Sequence, residues 1–260
     1  MFILRLGVLI VLLASIGPVY VAAQAKGSLE VSGRVKINGK QEKLSRKRFY
    51  LLKGGLKENQ DLIARLRTSE IKSRDCYYSQ MQASPQYICW LKAENCESPF
   101  CRDVTADDVA KVPEFQAAYK KGLTQFKGLE TIARDWITTN MPPALVSGFY
   151  RERRTLTDGL FGSLKPIQST MTDSVTIRAI FIDIPLDIPS GKKTGTFLLS
   201  NILPIEFGTK SYLWACEVEI GPDKPTVFSL KLPEGGKPVK NCEIFVRDLQ
   251  VCKTESCQTK

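Results

Sequence analysis

The chain has 260 residues, with 37 Lys and Arg against 27 Asp and Glu and no histidine. Without imidazole it lacks the usual general base of Ser and Cys hydrolases and the His ligands of zinc, copper and haem sites, although paired carboxylates, a Lys base or a thiol remain. The net charge of +10 suits an anionic partner such as an envelope polysaccharide, lipid head groups or another exported protein, and the chain has no nucleic-acid-binding motif.

Residues 1–25 read as a signal peptide. A short positive start at Met1–Arg5 precedes an apolar run from Leu6, broken by Gly17-Pro18, and Ala23-Gln24-Ala25 supplies the small residues of a cleavage site. An uncleaved membrane anchor is the alternative, because Leu6–Ala23 is just long enough to span a bilayer. Cleavage after Ala25 leaves about 235 residues, enough for one large domain. The remaining charge is mostly scattered. Only Arg46-Lys47-Arg48 and Arg151-Glu152-Arg153-Arg154 cluster, and a solvated basic face is the plain reading of both.

Ser28–Ile37 alternates, with Leu29, Val31, Val35 and Ile37 on one face, and Asn38-Gly39 follows as a hairpin turn. Lys47–Lys53 is the next expected strand. Residues 57–71 change to helical period through Leu62, Ile63 and Leu66. Four cysteines, Cys76, Cys89, Cys96 and Cys101, then come among Tyr77, Tyr78, Tyr87 and Trp90, without a regular period. Thr105–Asp108 reads as a capping box, and Pro113 suits the first turn of a further helix. Two apolar stripes follow, one through Phe115, Ala118, Tyr119, Gly122, Leu123 and Phe126, the other through Leu129, Ile132, Ala133, Trp136 and Ile137. The helices are expected to close at Asn140, before Pro142-Pro143.

Period two then returns. Strands are expected at Ala144–Tyr150, around Val175–Phe181, at Phe197–Leu203, Ser211–Ile220 and Thr226–Leu232, and near Cys242–Val251, with a loop at Thr155–Ser163. The expectation is an α+β protein: an antiparallel β-sandwich of about seven or eight strands (residues 26–55 and 144–260) with a helical, disulfide-rich insertion (residues 56–143).

Gly33-Arg34-Val35 with Ile37-Asn38-Gly39-Lys40, and Gly195-Thr196-Phe197 with Ser200-Asn201-Ile202-Leu203-Pro204 and Tyr212, are the residues that carry a family likeness. They resemble the opening strand and the later strands of carboxypeptidase regulatory-like domains. The resemblance covers about 60 residues at the two ends. The long insertion is foreign to that family, and its usual glycine before the tyrosine strand is displaced to Gly208. It implies a prealbumin-like, non-catalytic accessory or carbohydrate-binding-like fold, and it carries no site residues across.

Eight cysteines in an exported chain argue for disulfides. The pairing expected is Cys96–Cys101, Cys252–Cys257, Cys76–Cys89 and Cys216–Cys242, each within its own cluster. A zinc cage is disfavoured by the absence of tight C-x2-C spacing, and thiol redox chemistry by the absence of C-x-x-C. No cofactor is expected. Tyr77, Tyr78, Tyr87 and Trp90 are candidate binding residues on a disulfide-held loop, or else a satellite core against the helices. Asp183 with Asp187, and Glu217 with Glu219, are the carboxylate pairs a hydrolase would use. Ser69-x-x-Lys72 has no companion motif. The expected role is an exported, non-catalytic binding or structural protein; the alternative is an extracellular hydrolase using paired carboxylates.

Overall fold

A computed structural model describes residues 25–93, 95–233, 237–250, 252 and 257; residues 1–24 of the expected signal peptide lie outside this set. The elements in chain order begin with β1 (Lys26–Ser32), β2 (Arg34–Ile37), β3 (Lys40–Lys43) and β4 (Arg48–Lys53). The helices are α1 (Gln60–Thr68), α2 (Arg74–Gln80), α3 (Pro85–Ala93), α4 (Ala106–Lys111), α5 (Pro113–Gln125), α6 (Glu130–Asp135), α7 (Ile137–Asn140) and α8 (Phe149–Phe161). The remaining strands are β5 (Gln168–Met171), β6 (Arg178–Pro185), β7 (Gly195–Ser200), β8 (Ile205–Phe207), β9 (Lys210–Ile220), β10 (Thr226–Ser229) and β11 (Cys242–Asp248). None of the helices among the described residues is long and apolar enough to cross a membrane.

The fold is α+β, built in three layers. A three-stranded sheet, ordered β10-β1-β6, faces a six-stranded sheet ordered β11-β9-β7-β4-β5 with β8 paired to β9. Their shared core holds Leu29, Val31, Phe181, Phe49, Phe197 and Trp214. Tyr212, Trp214, Cys216, Val218 and Ile220 of β9 all point into it, as their spacing of two predicts. The opposite face of the large sheet carries Leu52, Leu198, Leu213 and Ala215, and α1 and α8 cover it through Leu62, Leu66 and Phe161. This is why Phe197-Leu198-Leu199 in β7 and Tyr212–Cys216 in β9 are unbroken apolar runs: where a sheet is covered on both sides it has no solvent face. A third core lies wholly within the helical segment.

Four sequence expectations change. The Asn38-Gly39 turn (φ 49° and 81°) joins β2 to β3, not to β4. The partner strand Lys40–Lys43 is entirely polar, so hydrophobic alternation gives no sign of it. Val175 is 82% exposed and precedes β6, which starts at Arg178. The cysteine cassette is regular after all, because Ser73 and Ser84 hydroxyls accept from the amides of Cys76 and Tyr87 and start two short helices, α2 and α3.

The fourth change positions the site. Ala144–Tyr150 is not a strand and Thr155–Ser163 is not a loop. Residues Ala144–Gly148 form a π-helical turn that runs directly into α8. The buried side chains Leu145, Phe149, Arg153, Thr157 and Phe161 recur every four residues, which is helical spacing. Pro142-Pro143 therefore starts a helix, where a missing amide does no harm, rather than ending one.

Candidate functional site

The cysteine–aromatic cassette is core. Tyr78 and Tyr87 are fully buried, Tyr77 is 4% exposed and Trp90 8%. Each polar tip is satisfied: Tyr77 donates to the Ala144 carbonyl, Tyr87 to that of Leu145, Tyr78 to that of Glu97, and the Trp90 indole to Asp108. Burial raises the pKa of both Tyr78 and Tyr87 well above the phenol value. These four residues hold the helices together through edge-to-face ring contacts and present no docking face.

All eight cysteines are paired. Cys96–Cys101 and Cys216–Cys242 form as the spacing suggests. The other two cross between clusters, as Cys76–Cys252 and Cys89–Cys257, and correct the expected Cys76–Cys89 and Cys252–Cys257. The reason is the course of the last strand. β11 pairs antiparallel with β9 and ends beside α1, where Arg247 donates to the carbonyls of Leu66, Arg67 and Ser69. The tail thus leaves the sheet next to α2 and α3. With every sulfur in a disulfide, no thiolate is left for a zinc cage or for exchange chemistry.

The disulfide-closed loop Cys96–Cys101 is fixed from three directions. Arg74 donates to the Cys96 carbonyl at 2.9 Å, Tyr78 to that of Glu97 at 2.8 Å, and Arg46 to that of Cys101. This seats the loop against the β3–β4 turn and α8, at the junction of sandwich and helices. A cleft of about 910 Å³ opens there, and a second of about 400 Å³ adjoins it. The two share Arg46, Lys47, Glu97, Tyr150 and Met171, so together they make one elongated depression.

Its charge is lopsided. Arg46, Lys47 and Arg48 line it from the β3–β4 side, and Arg153 and Arg154 from α8. Lys43 and Arg102 line one end and Lys165 the other. Against these cations stand two carboxylates among the described residues, Glu97 and Asp158. The only two basic clusters in the sequence, far apart in the chain and plain in isolation, therefore meet across a single cleft.

The floor cations are committed. Lys47, 6% exposed, binds Glu97 at 2.7 Å. Burial would raise the Glu97 pKa, but the charge of Lys47, then Arg153, the Lys47 hydrogen bond and Arg74 overcome it and bring it down to about 2. Arg153, 8% exposed, stacks 4.7 Å over Phe149 and reaches the Pro204 carbonyl and Glu206 at 3.3 Å each. Its buried Nε has no hydrogen-bond partner among the described residues. The rim is different. Lys43, Arg46, Arg48, Arg154 and Lys165 are exposed and have no carboxylate within ion-pair distance among the described residues. Tyr150, 46% exposed, stands where the two depressions join.

The carboxylates that a hydrolase would use lie elsewhere. Asp183 pairs with Lys26 and Asp187 with Lys53 on the surface. Glu217 accepts from the amide of Leu56, and Glu219 from the Thr194 hydroxyl. None of the four lines the cleft. Ser69 uses its hydroxyl on the Leu66 carbonyl, and Lys72 turns to Gln80 and Glu152.

Compared with protein-family models, with curated proteins and with solved structures, the chain finds no match.

Proposed function

We propose that this chain is an exported, non-catalytic binding protein whose basic cleft holds an acidic polysaccharide. The observation that carries the reading is the convergence of the two basic clusters on one elongated depression, where Arg46, Arg48 and Arg154 have no carboxylate within ion-pair distance among the described residues. Cations left unpaired beside one another repel, and an anionic ligand relieves that repulsion. An open, extended trough suits a chain of sugars better than a compact anion does, and Tyr150 offers a ring at its middle for stacking. Four disulfides fit an oxidising compartment and so support export. The likeness of the chain's two ends to carboxypeptidase regulatory-like domains points the same way, toward an accessory module. The paired-carboxylate hydrolase gains no support from Asp183, Asp187, Glu217 or Glu219, all of which lie off the cleft.

Affinity electrophoresis in gels containing polygalacturonate, with dextran as the neutral control, tests this. Retardation by polygalacturonate alone is expected. Equal retardation in both gels, or none in either, contradicts it.

A further inference from the structure

The segment from Leu129 through α6 to Ile137 carries two apolar faces, and only one of them is used. Ala133 and Ile137 are buried, and Ala133 packs so closely on α5 that a Cβ on Gly122 would lie 3.1 Å from it. Leu129, Ile132 and Trp136, at positions i, i+3 and i+7, face outward and are 57%, 38% and 47% exposed. Phe126 backs them, with its ring 5.6 Å from that of Trp136. Every residue from 127 to 132 is exposed, so the turn between α5 and α6 is a convex knuckle and not a groove. Lys120, Lys121, Lys127 and Arg134 are exposed around it, against Glu130 and Asp135, and none of these four cations is ion-paired among the described residues.

We propose that the α5–α6 knuckle is a membrane-surface anchor, which seats Leu129, Ile132 and Trp136 among the head groups of an anionic bilayer. A convex aliphatic tip with a tryptophan at its base matches the boundary between acyl chains and head groups, where an indole is favoured. The flanking cations add attraction to anionic lipid. The same cations oppose a second copy as occupant, since pairing two tips would bring like charges together. The knuckle is a different surface from the basic cleft, and the proposal does not depend on the ligand of that cleft.

Trp136 makes the test direct, because Trp90 and Trp214, the other two tryptophans, are only 8% and 1% exposed. The full chain is mixed with vesicles of phosphatidylglycerol and phosphatidylcholine, or of phosphatidylcholine alone, with and without brominated acyl chains. The expected result is a blue-shifted tryptophan emission, quenched by bromine, on the anionic vesicles only. Leu129→Ser/Ile132→Ser should lower partitioning by about tenfold or more with an unchanged melting temperature, since it removes two buried aliphatic contacts from the lipid and none from the core. Binding with Trp136 unquenched would place the contact elsewhere on the chain, in the basic cleft or residues 1–25, and overturn the proposal. So would partitioning unaffected by the double variant, equal binding to neutral vesicles, or a concentration-dependent dimer that the double variant abolishes in place of vesicle binding.

Discussion

Glu97 is the residue on which the floor of the cleft turns. It is the partner of Lys47, a cation only 6% exposed, and it lies in the fields of Arg153 and Arg74. Glu97→Gln leaves the Lys47 ammonium without its counter-charge. A fully buried pair broken in this way costs about 3–5 kcal/mol; the Glu97 side chain is 28% exposed, so about 2–3 kcal/mol is expected in chemical denaturation. The pH dependence has a definite sign. The folded pKa is depressed from 4.5 to about 2, so the charged form favours folding. That stability is complete above about pH 4.5 and is lost as pH falls toward 2, and Glu97→Gln should flatten the denaturation profile in that window. Asp108 acts in the same direction. Burial raises its pKa, but hydrogen bonds from Arg102, from the Thr105 amide and hydroxyl, and from the Trp90 indole hold it well below the usual carboxylate range. The capping box at Thr105–Asp108 was readable in the sequence, because Thr-x-x-Asp before a helix is a local signal. The role of Glu97 was not, since its partners Lys47, Arg74 and Arg153 come from three distant segments.

At the scale of elements, α8 decides where the site lies, and the C-terminal tail decides how α2 and α3 are tied to the sheet. Strand periodicity located β9 well, since Tyr212, Trp214, Cys216, Val218 and Ile220 alternate along it, and β7 overlaps the expected Phe197–Leu203 although it starts at Gly195 and ends at Ser200. It failed over Ala144–Phe161, because Leu145, Phe149 and Phe161 also fit a period of two when read singly, and only their common spacing of four shows the helix. Within that turn Gly148 is under constraint. Its missing Cβ leaves room for the Tyr77 hydroxyl, which is itself fixed on the Ala144 carbonyl. Gly148→Ala should therefore destabilise the fold by about 1–3 kcal/mol as an overpacking change, and thermal denaturation checks this. The disulfides follow the same logic. Pairing within each cluster is the simplest inference from spacing, but where a tail lands depends on sheet order, which spacing does not encode. Removing Cys76–Cys252 alone leaves Cys89–Cys257 to hold the tail, and reopens an effective loop of about 18 residues, worth about 3 kcal/mol in the chain-entropy model. Removing both should cost about 8 kcal/mol, since the last cross-link closes a loop spanning 168 residues. Guanidinium denaturation of Cys76→Ser/Cys252→Ser and of the fourfold variant measures the difference, and non-reducing peptide mapping checks the connectivity directly.

In the whole molecule, the helical layer is more than an insertion set on a sandwich. Part of it covers the second face of the large sheet, part builds its own core, and two disulfides tie it to the tail. The basic cleft lies at the seam of these parts, so neither half contains it alone. That explains why the sequence showed its components without showing the site. Arg46–Arg48 and Arg151–Arg154 stood out as the only charge clusters, yet each reads as ordinary solvated surface until the fold places them opposite one another. On the proposed function these clusters act together on one acidic chain. The most direct measurement is a salt series of polygalacturonate affinity for the wild type, Arg48→Glu, Arg154→Glu and the double variant. Affinity should fall steeply with ionic strength in the wild type, as screening of exposed charges requires. Each single reversal should weaken binding about tenfold or more and flatten the slope, the double variant should bind least, and melting temperatures should stay unchanged. Wild-type affinity in the double variant, or a salt slope that the reversals leave untouched, would show that the two clusters do not bind the acidic chain together.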